Sequence, residues 1–497
     1  MDLAYLFSFW AKYACVDSAV WHTALQLNLF DHIPTEGEGY TTLTTLAEKA
    51  GASLRGTRIL VEPLVSQKVL EMNAQKEVAI RHEYATPLRH QEFIEQLKSA
   101  RGWWGPAQQL ETAVCSGNAV TYEGQMWDVL QHYQTIFTTT PTLAHPAKTA
   151  VWIFDCVARN FLRTQALVCA SALDLFTQLA DGSVLFPQVA TTCETSVNGM
   201  KVLLDTLTSM GILQNEADRY HLQANASNLL HPKSIASYKQ SLGITNMYWQ
   251  TLGELEAAVR YGQRSLDLHK PELSGQFYLA LARYNTSVFS AYFQIIRDVP
   301  ITLNQNGVLA NAKVLDVGAG SGVWGAAFAH VDPTMHITFM DQPQVLAQTR
   351  RNVERLKLKN ETEIWGDDLL LADYGEERFD VIILGQICHT QHPDDLPGLF
   401  QKLARALRPQ GCLVVADQVL NARRDDPIDY LYFGVKEFLS TQGDILSLPE
   451  YTELLEAAGF NTSQCYRLQG IDVIVSRMDS WALPQTLISL KEQPAQV

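Results

Sequence analysis

The sequence predicts an α/β protein, with a doubly wound sheet preceded by two related, mainly α modules. Three observations carry this reading. Strings from roughly the first 150 residues recur, in order, in the next stretch of similar length. From residue 313 onward, apolar strand-like segments alternate with amphipathic helices. Of 497 residues, 47% are hydrophobic and 18% charged, which provides apolar material for several cores. Length alone suggests about three domains. Disordered and fibrous classes are excluded by the same composition.

Charge and cysteine usage narrow the partners. Lys+Arg is 38 and Asp+Glu is 53, a net charge of −15. That surplus argues against a dedicated nucleic-acid binder, whose affinity rests on a basic patch. The 8 cysteines contain no CxxC pair and read as reduced thiols of a cytoplasmic protein. The N-terminal stretch is apolar, but Asp2, Lys12 and Asp17 interrupt it and a basic leader is missing. It predicts amphipathic packing helices, with neither a secretory signal nor a membrane span.

The repeat is specific. Trp104, Leu110, Glu111, Ala113, Val114 and Gly117 return as Trp249, Leu255, Glu256, Ala258, Val259 and Gly262, 145 residues later at every position. Ser53, Gly56, Leu60, Ser66 and Leu70 return as Ser196, Gly199, Leu203, Ser209 and Leu213, at an offset of 143. GQMWDVLQHY (124–133) returns as GQFYLALARY (275–284). Each copy predicts a short helix (LAEKAG; VATTCE), a second helix (SLRGTRILVEPLVSQ; SVNGMKVLLDTLTSM) and a β-like pair (KVLEMNAQKEVAI; GILQNEADRYHLQ). Helix–helix–hairpin is the winged-helix pattern. The second helix offers Arg55 and Arg58 in copy one but only Lys201 in copy two. A DNA-recognition helix carries more cations, so packing and dimerisation is the expected role. The predicted domains are 1–150, 151–300 and 301–497.

KVLDVGAGSGVWGAAFA (313–329) reads as a strand, a glycine turn and a small-residue helix. Val314, Leu315 and Val317 suit a parallel strand buried on both faces. Gly318, Gly320 and Gly322 let the backbone turn sharply and approach a ligand closely. Asp316 stands near the end of that strand. The next strand, HITFMDQP, ends in Asp341, where a carboxylate can accept both ribose hydroxyls of an adenosine ligand. The competing reading is a cap on the following helix. EIWGDDLL ends in Asp367 and Asp368, placed to receive an adenine amino group. FDVIILGQICH (379–389) and GCLVVADQVL (411–420) continue the alternation. A dinucleotide site would want GxGxxG with its pyrophosphate on the helix N-terminus. A strand-end acid with GxGxG favours S-adenosylmethionine, which has no phosphate.

Together, DVGAGSG (316–322), MDQPQV (340–345), GDDLL (366–370), ICHTQHPDD (387–395), LRPQGCLVVADQVL (407–420) and EYTELLEAAGF (450–460) resemble the small-molecule O-methyltransferases that include the caffeic-acid and hydroxyindole enzymes. The resemblance covers 301–480 and extends upstream through copy two. It implies a Rossmann-like core, S-adenosylmethionine as cofactor, and a winged-helix dimerisation domain. The family normally has one such domain; this chain has two. Residue by residue, Gly318, Gly320 and Gly322 match the turn around the methionine moiety and Asp341 the ribose acid. Asp367 matches the adenine-side acid, with Asp368 and Leu369 as neighbouring contacts. His389 falls where the family keeps its general base. The family's carboxylate 28 residues further on falls at Asp417.

Two departures follow. His389-Thr390-Gln391 stands where the family often has HDW, and Ile445 stands where it often has a glutamate. Either the base is arranged differently, or the chemistry has moved to C-methylation or another step at an activated carbon. Trp249, Phe277, Tyr284 and Phe433 are candidates to line a pocket for an aromatic or hydrophobic acceptor, with ordinary helix packing as the competing reading. His389 and His392 form an H-x-x-H without a third ligand at familiar spacing, so no metal is expected. The expected function is methylation of a hydroxyl on a small metabolite, by a homodimer or by an intramolecular pseudo-dimer of the two modules. The competing class is a winged-helix scaffold or regulator.

Overall fold

In each repeat, a serine opens a helix that starts against the other repeat. The computed structural model describes residues 3–143, 147–180, 182–227, 242–262, 277–279, 281–282, 285–286, 288–305, 309, 311–480 and 483–487. They divide into two units: Met1–Ser265 with Leu431–Leu439, and Leu266–Tyr430 with Ser440–Val497. The first unit therefore holds copy one and copy two up to Ser265, while the repeated string at 275–284 falls in the second.

In copy one, Thr42 caps the helix Leu43–Ala50, which Gly51 ends with φ +60°. Ser53 caps the helix Leu54–Ser66. The strands Leu70–Met72 and Glu77–Ile80 follow, and Thr41–Thr42 pairs with the second of them. Copy two repeats this order: Val184–Leu185, the helices Phe186–Thr192 and Val197–Ser209, and the strands Leu213–Glu216 and Arg219–Leu222. The helices and both hairpins are legible in the sequence, but the two-residue third strands are not. Strands that short leave no alternation to read.

The two copies meet through reciprocal contacts. Ser53 Oγ accepts from Gly56 N at 3.0 Å while donating to the Val259 carbonyl at 2.8 Å. Ser196 Oγ accepts from Gly199 N at 3.0 Å while donating to the Val114 carbonyl at 2.8 Å. The Trp104 indole donates to the Trp249 carbonyl at 3.1 Å, and the Trp249 indole to the Trp104 carbonyl at 3.1 Å. Their rings stack with centroids 4.4 Å apart. Beneath these pairs, the buried helices Ala14–Gln26 and Asn160–Ala172 pack together. Ser18 Oγ donates to the Cys156 carbonyl at 2.6 Å and accepts from Phe161 N at 3.1 Å.

The segment Leu431–Leu439 is held in the same unit by a buried polar cluster. Tyr432 Oη donates to Asp17 Oδ1 at 2.8 Å, and Asn160 Nδ2 to Asp17 Oδ2 at 2.8 Å. Gln67 Nε2 donates to Asp17 Oδ1 at 2.5 Å. Burial raises Asp17 to about 6 against the pull of these bonds.

The second unit is built on a seven-stranded sheet. Its strands are β1 (Lys313–Val317), β2 (His336–Asp341), β3 (Glu361–Gly366), β4 (Phe379–Gly385), β5 (Leu407–Asp417), β6 (Thr462–Leu468) and β7 (Ile471–Arg477), in the order β3-β2-β1-β4-β5-β7-β6. β1 to β5 run parallel, with the order reversing at β1, as in a doubly wound sheet. The antiparallel hairpin β6–β7 adds an edge that the motif reading leaves out. Side chains alternate between two cores. Val314 and Phe339 pack with Trp324 and Phe328 on one face; Leu315 and Met340 pack with the other.

The reciprocal docking generates a prediction. A Cβ at Gly56 would lie 2.5 Å from the Val259 carbonyl oxygen, and one at Gly199 would clash with that of Val114. Both obstacles are backbone. Gly56→Ala and Gly199→Ala are each expected to destabilise the chain by about 2 kcal/mol, read by thermal unfolding. An equal melting temperature in either variant would show that the repeats do not meet this way.

Candidate active site

Parallel pairing brings the carboxyl ends of β1, β2, β4 and β5 to one edge of the second unit. β1 runs into the glycine turn, where Gly318, Gly320 and Gly322 have φ of +69°, +53° and +79°. Side chains rarely tolerate this conformation, which explains three glycines in five residues. Ala319 N donates to the Met340 carbonyl at 2.9 Å, and Thr349 Oγ1 to the Gly320 carbonyl at 2.7 Å. These bonds hold the turn against β2 and the helix after it.

Two acids flank the turn. Asp316 is buried and its Oδ2 accepts from Gly325 N at 2.8 Å. Burial lifts it to about 7, with the charge of Asp341 adding to the rise. Asp341 accepts from Gly320 N and from Gln342 N, both at 2.7 Å. Burial lifts it to about 6 against these bonds. Neither donor belongs to the first turn of the helix Pro343–Leu356, so these bonds do not cap that helix. On the next strand end, Asp367 N donates to the Asp341 carbonyl at 3.2 Å. Asp368 is exposed and its Oδ1 accepts from Leu370 N at 2.8 Å and Leu371 N at 3.2 Å, closing a turn. Leu369 is half-buried beside them.

An adenosine ligand with a sulfonium side chain fits these residues. Its hydroxyls need an acceptor, its methionine end a turn without side chains, and its adenine a strand-end acid. Gln418 Oε1 is also buried without a hydrogen-bond partner among the described residues. Buried polar atoms are normally paired, so an unpaired one in the unit that carries this edge suits a polar ligand.

His389 sits in a short 3-10 turn, Cys388–Thr390, after β4 and is buried. Asp417 ends β5 and is fully buried. His389 Nδ1 lies 2.5 Å from Asp417 Oδ1, and His389 N donates to Oδ2 at 3.0 Å. An ionised carboxylate only accepts, so Nδ1 carries the ring proton and Nε2 keeps the lone pair. Gln418 N donates to Oδ1 at 2.8 Å, and Tyr451 Oη to Oδ2 at 3.1 Å. His389 and Asp417 are both legible in the sequence motifs, whereas Tyr451 is not. Nothing in EYTELLEAAGF marks its hydroxyl as facing a strand end some 30 residues away. Ile445 is buried and apolar. Its neighbour Asp444 accepts from Arg424 at 3.1 Å.

The four acceptor-pocket candidates do not share one unit. Trp249 is in the first, stacked on Trp104. Phe433 is half-buried in the same unit, in the segment Leu431–Leu439. Phe277 is half-buried in the second unit, edge-on to Tyr278 at 5.5 Å. Tyr284 lies outside the described residues. Among the described residues no group of three His, Cys, Asp or Glu could hold a metal ion, and no helix is long and apolar enough to cross a membrane.

The O-methyltransferase domain family matches residues 284–461, and the O-methyltransferase dimerisation domain matches twice, at 12–86 and 156–232. Acetylserotonin O-methyltransferase of Gallus gallus is 24% identical over 328 residues, 62% of this chain and 92% of that protein. The S-adenosyl-L-methionine-dependent methyl transferase PigF of a Serratia strain is 23% identical, over 63% of this chain and 91% of its own length. The structure of human N-acetylserotonin methyltransferase in complex with SAM shares the fold, with a TM-score of 0.55 at 21% identity, covering 67% of this chain and 99% of that one. Less than 70% of this chain covers nearly the whole length of these relatives. The chain belongs to the S-adenosylmethionine-dependent O-methyltransferase family, with the family's dimerisation domain written twice.

Proposed function

We propose that the chain transfers a methyl group to the hydroxyl of a small aromatic or hydrophobic metabolite, with His389 as general base. The observation that carries this reading is the buried His389–Asp417 pair on the strand edge that also bears the glycine turn and Asp341. The cofactor, when bound, supplies a methyl group on a cationic sulfur, already electrophilic. The residues then have two tasks: orientation and proton removal. Gly318, Gly320 and Gly322 admit the methionine end, Asp341 accepts the ribose hydroxyls, and Asp367, Asp368 and Leu369 border the adenine. His389 Nε2 takes the acceptor's hydroxyl proton as the new O–CH3 bond forms. Asp417 holds the ring and stabilises the imidazolium until the proton leaves to solvent. Relatives named for acetylserotonin and for 3-hydroxy-5-methyl-1-naphthoate support a flat, hydroxylated acceptor. Of the candidates for its pocket, Phe277 belongs to the unit that carries the strand edge.

In the same reading, 1–150 and 151–300 are winged-helix modules and 301–497 is the catalytic domain. Copy one takes the place of a partner subunit's module, since its contacts with copy two are reciprocal. The chain then works as an intramolecular pseudo-dimer, without nucleic acid. All eight cysteines are free, which suits a cytoplasmic setting.

Asp341→Ala should weaken binding of the demethylated cofactor by roughly 100-fold or more, because charge-assisted hydrogen bonds are lost. Isothermal titration reads this, and undiminished binding would remove Asp341 from the site. In the intact chain, affinity should fall as the pH drops through about 6, where Asp341 takes up its proton. The ligand-free fold has the opposite sign. Between 3.8 and about 6 the folded acid holds a proton the unfolded chain has lost, so its penalty on folding is complete only above about pH 6.

His389→Ala should lower kcat on a hydroxyindole or naphthol acceptor by about 100- to 10,000-fold while cofactor binding persists. Unchanged turnover would point to positioning alone, or to methylation of an activated carbon. Sedimentation equilibrium should give the mass of one chain, 55.6 kDa. Twice that mass would mean that the internal docking leaves a further pairing surface.

A further inference from the structure

The His389–Asp417 pair has a third member, a tyrosine whose hydroxyl reaches the same carboxylate. Tyr451 is fully buried in the first turn of the helix Leu448–Ala457. That turn is fixed by a capping box between Ser447 and Glu450, and Glu450 is in turn bonded by Arg424 at 2.6 Å. From this anchored position Tyr451 Oη donates to Asp417 Oδ2 at 3.1 Å. The carboxylate thus collects four donors, two on each oxygen. The side chains among them are His389 and Tyr451; the other two donors are the backbone N–H groups of His389 and Gln418. Where the resemblance expects a second carboxylate, Ile445 presents only apolar surface, and the phenol adds a polar side chain to the pair instead.

We propose that Tyr451 is a positioning residue for methyl transfer, fixing the rotation of the Asp417 carboxylate and moderating its basicity, and through it the tautomer and proton affinity of His389. This rests on the reading of His389 as the base. A donor on a carboxylate stabilises its anion and weakens its hold on a neighbouring imidazolium. The phenol can play this part because it stays protonated: burial and the charge of Asp417 hold it well above the ordinary tyrosine range. The other titratable groups around the pair are Cys388, whose thiol contacts Tyr451, and Asp472, which faces Asp417 across β5 and β7. The phenols of Tyr292 and Tyr430 also feel the charge of Asp417. Burial holds the thiol and both phenols protonated. Asp472 is raised by burial and by Asp417, and it accepts from Val419 N at 3.3 Å.

The test is a pH titration of the histidine ring nitrogens by NMR in the full-length protein, with the His389 signal identified by its loss in His389→Ala. Tyr451→Phe keeps the ring and removes only the hydroxyl. The His389 midpoint should rise by roughly half a pH unit or more, with mixing of the two neutral tautomers. An unmoved midpoint and tautomer in folded Tyr451→Phe would overturn the assignment. Should that variant not fold, 3-fluorotyrosine incorporated throughout the natural sequence strengthens the phenol as a donor, and the midpoint should move down; no movement overturns the proposal equally. The two readings fail separately. Turnover that survives His389→Ala overturns the base, and with it any part for Tyr451 in catalysis. A static titration beside an inactive His389→Ala overturns Tyr451 alone.

Discussion

The parallel hydrogen bonding of β1 to both its neighbours is the constraint on which the catalytic unit depends. β1 pairs with β2 on one side and β4 on the other, and β4 pairs with β5. Parallel strands bring their carboxyl ends to one edge, so whatever terminates each strand converges there. Asp341, the glycine turn, His389 and Asp417 come from four different strand ends. No local interaction brings them together. The acids pay in desolvation: burial raises both Asp316 and Asp341, and backbone N–H groups offset only part of it.

The first unit follows a different principle. Its two copies share a sequence pattern because they share contacts. Ser53 and Ser196 each serve as acceptor for their own helix and donor to the other copy. Gly56 and Gly199 sit where a carbonyl of the other copy leaves no space for a side chain. Gly117 and Gly262 end the docked helices in the left-handed conformation. The residues retained across an offset of about 145 include those that meet the other repeat. A pairing surface that must complement its own copy limits both versions at once.

Legibility in the sequence tracked how local each signal is. The glycine turn, the strand-end acids and the serine-capped helices depend on neighbours a few residues away, and all were readable. The two-residue strands Thr41–Thr42 and Val184–Leu185 carry no periodicity and were not. The hairpin β6–β7 lies beyond the alternation that defined the sheet. Trp249 reads equally as a pocket aromatic or as helix packing, because nothing in its surroundings names Trp104 as its partner, 145 residues away. Tyr451 carries no such local signal, because a hydroxyl on an amphipathic helix has no preferred partner until the helix is docked.

By itself, the sequence determined the alternation of strands and helices, the duplication, the need for left-handed glycines at one turn, and which acids end the strands. These follow from backbone sterics, side-chain periodicity and the spacing of like residues. Only the tertiary structure decided that the two copies meet through reciprocal bonds, that Leu431–Leu439 joins them through Asp17, and that Asp417 is shared by His389 and Tyr451. Each of these joins residues distant in the chain, and the physical reason is the same throughout. A buried donor or acceptor takes the partner that packing brings within reach, and packing is settled by the whole fold.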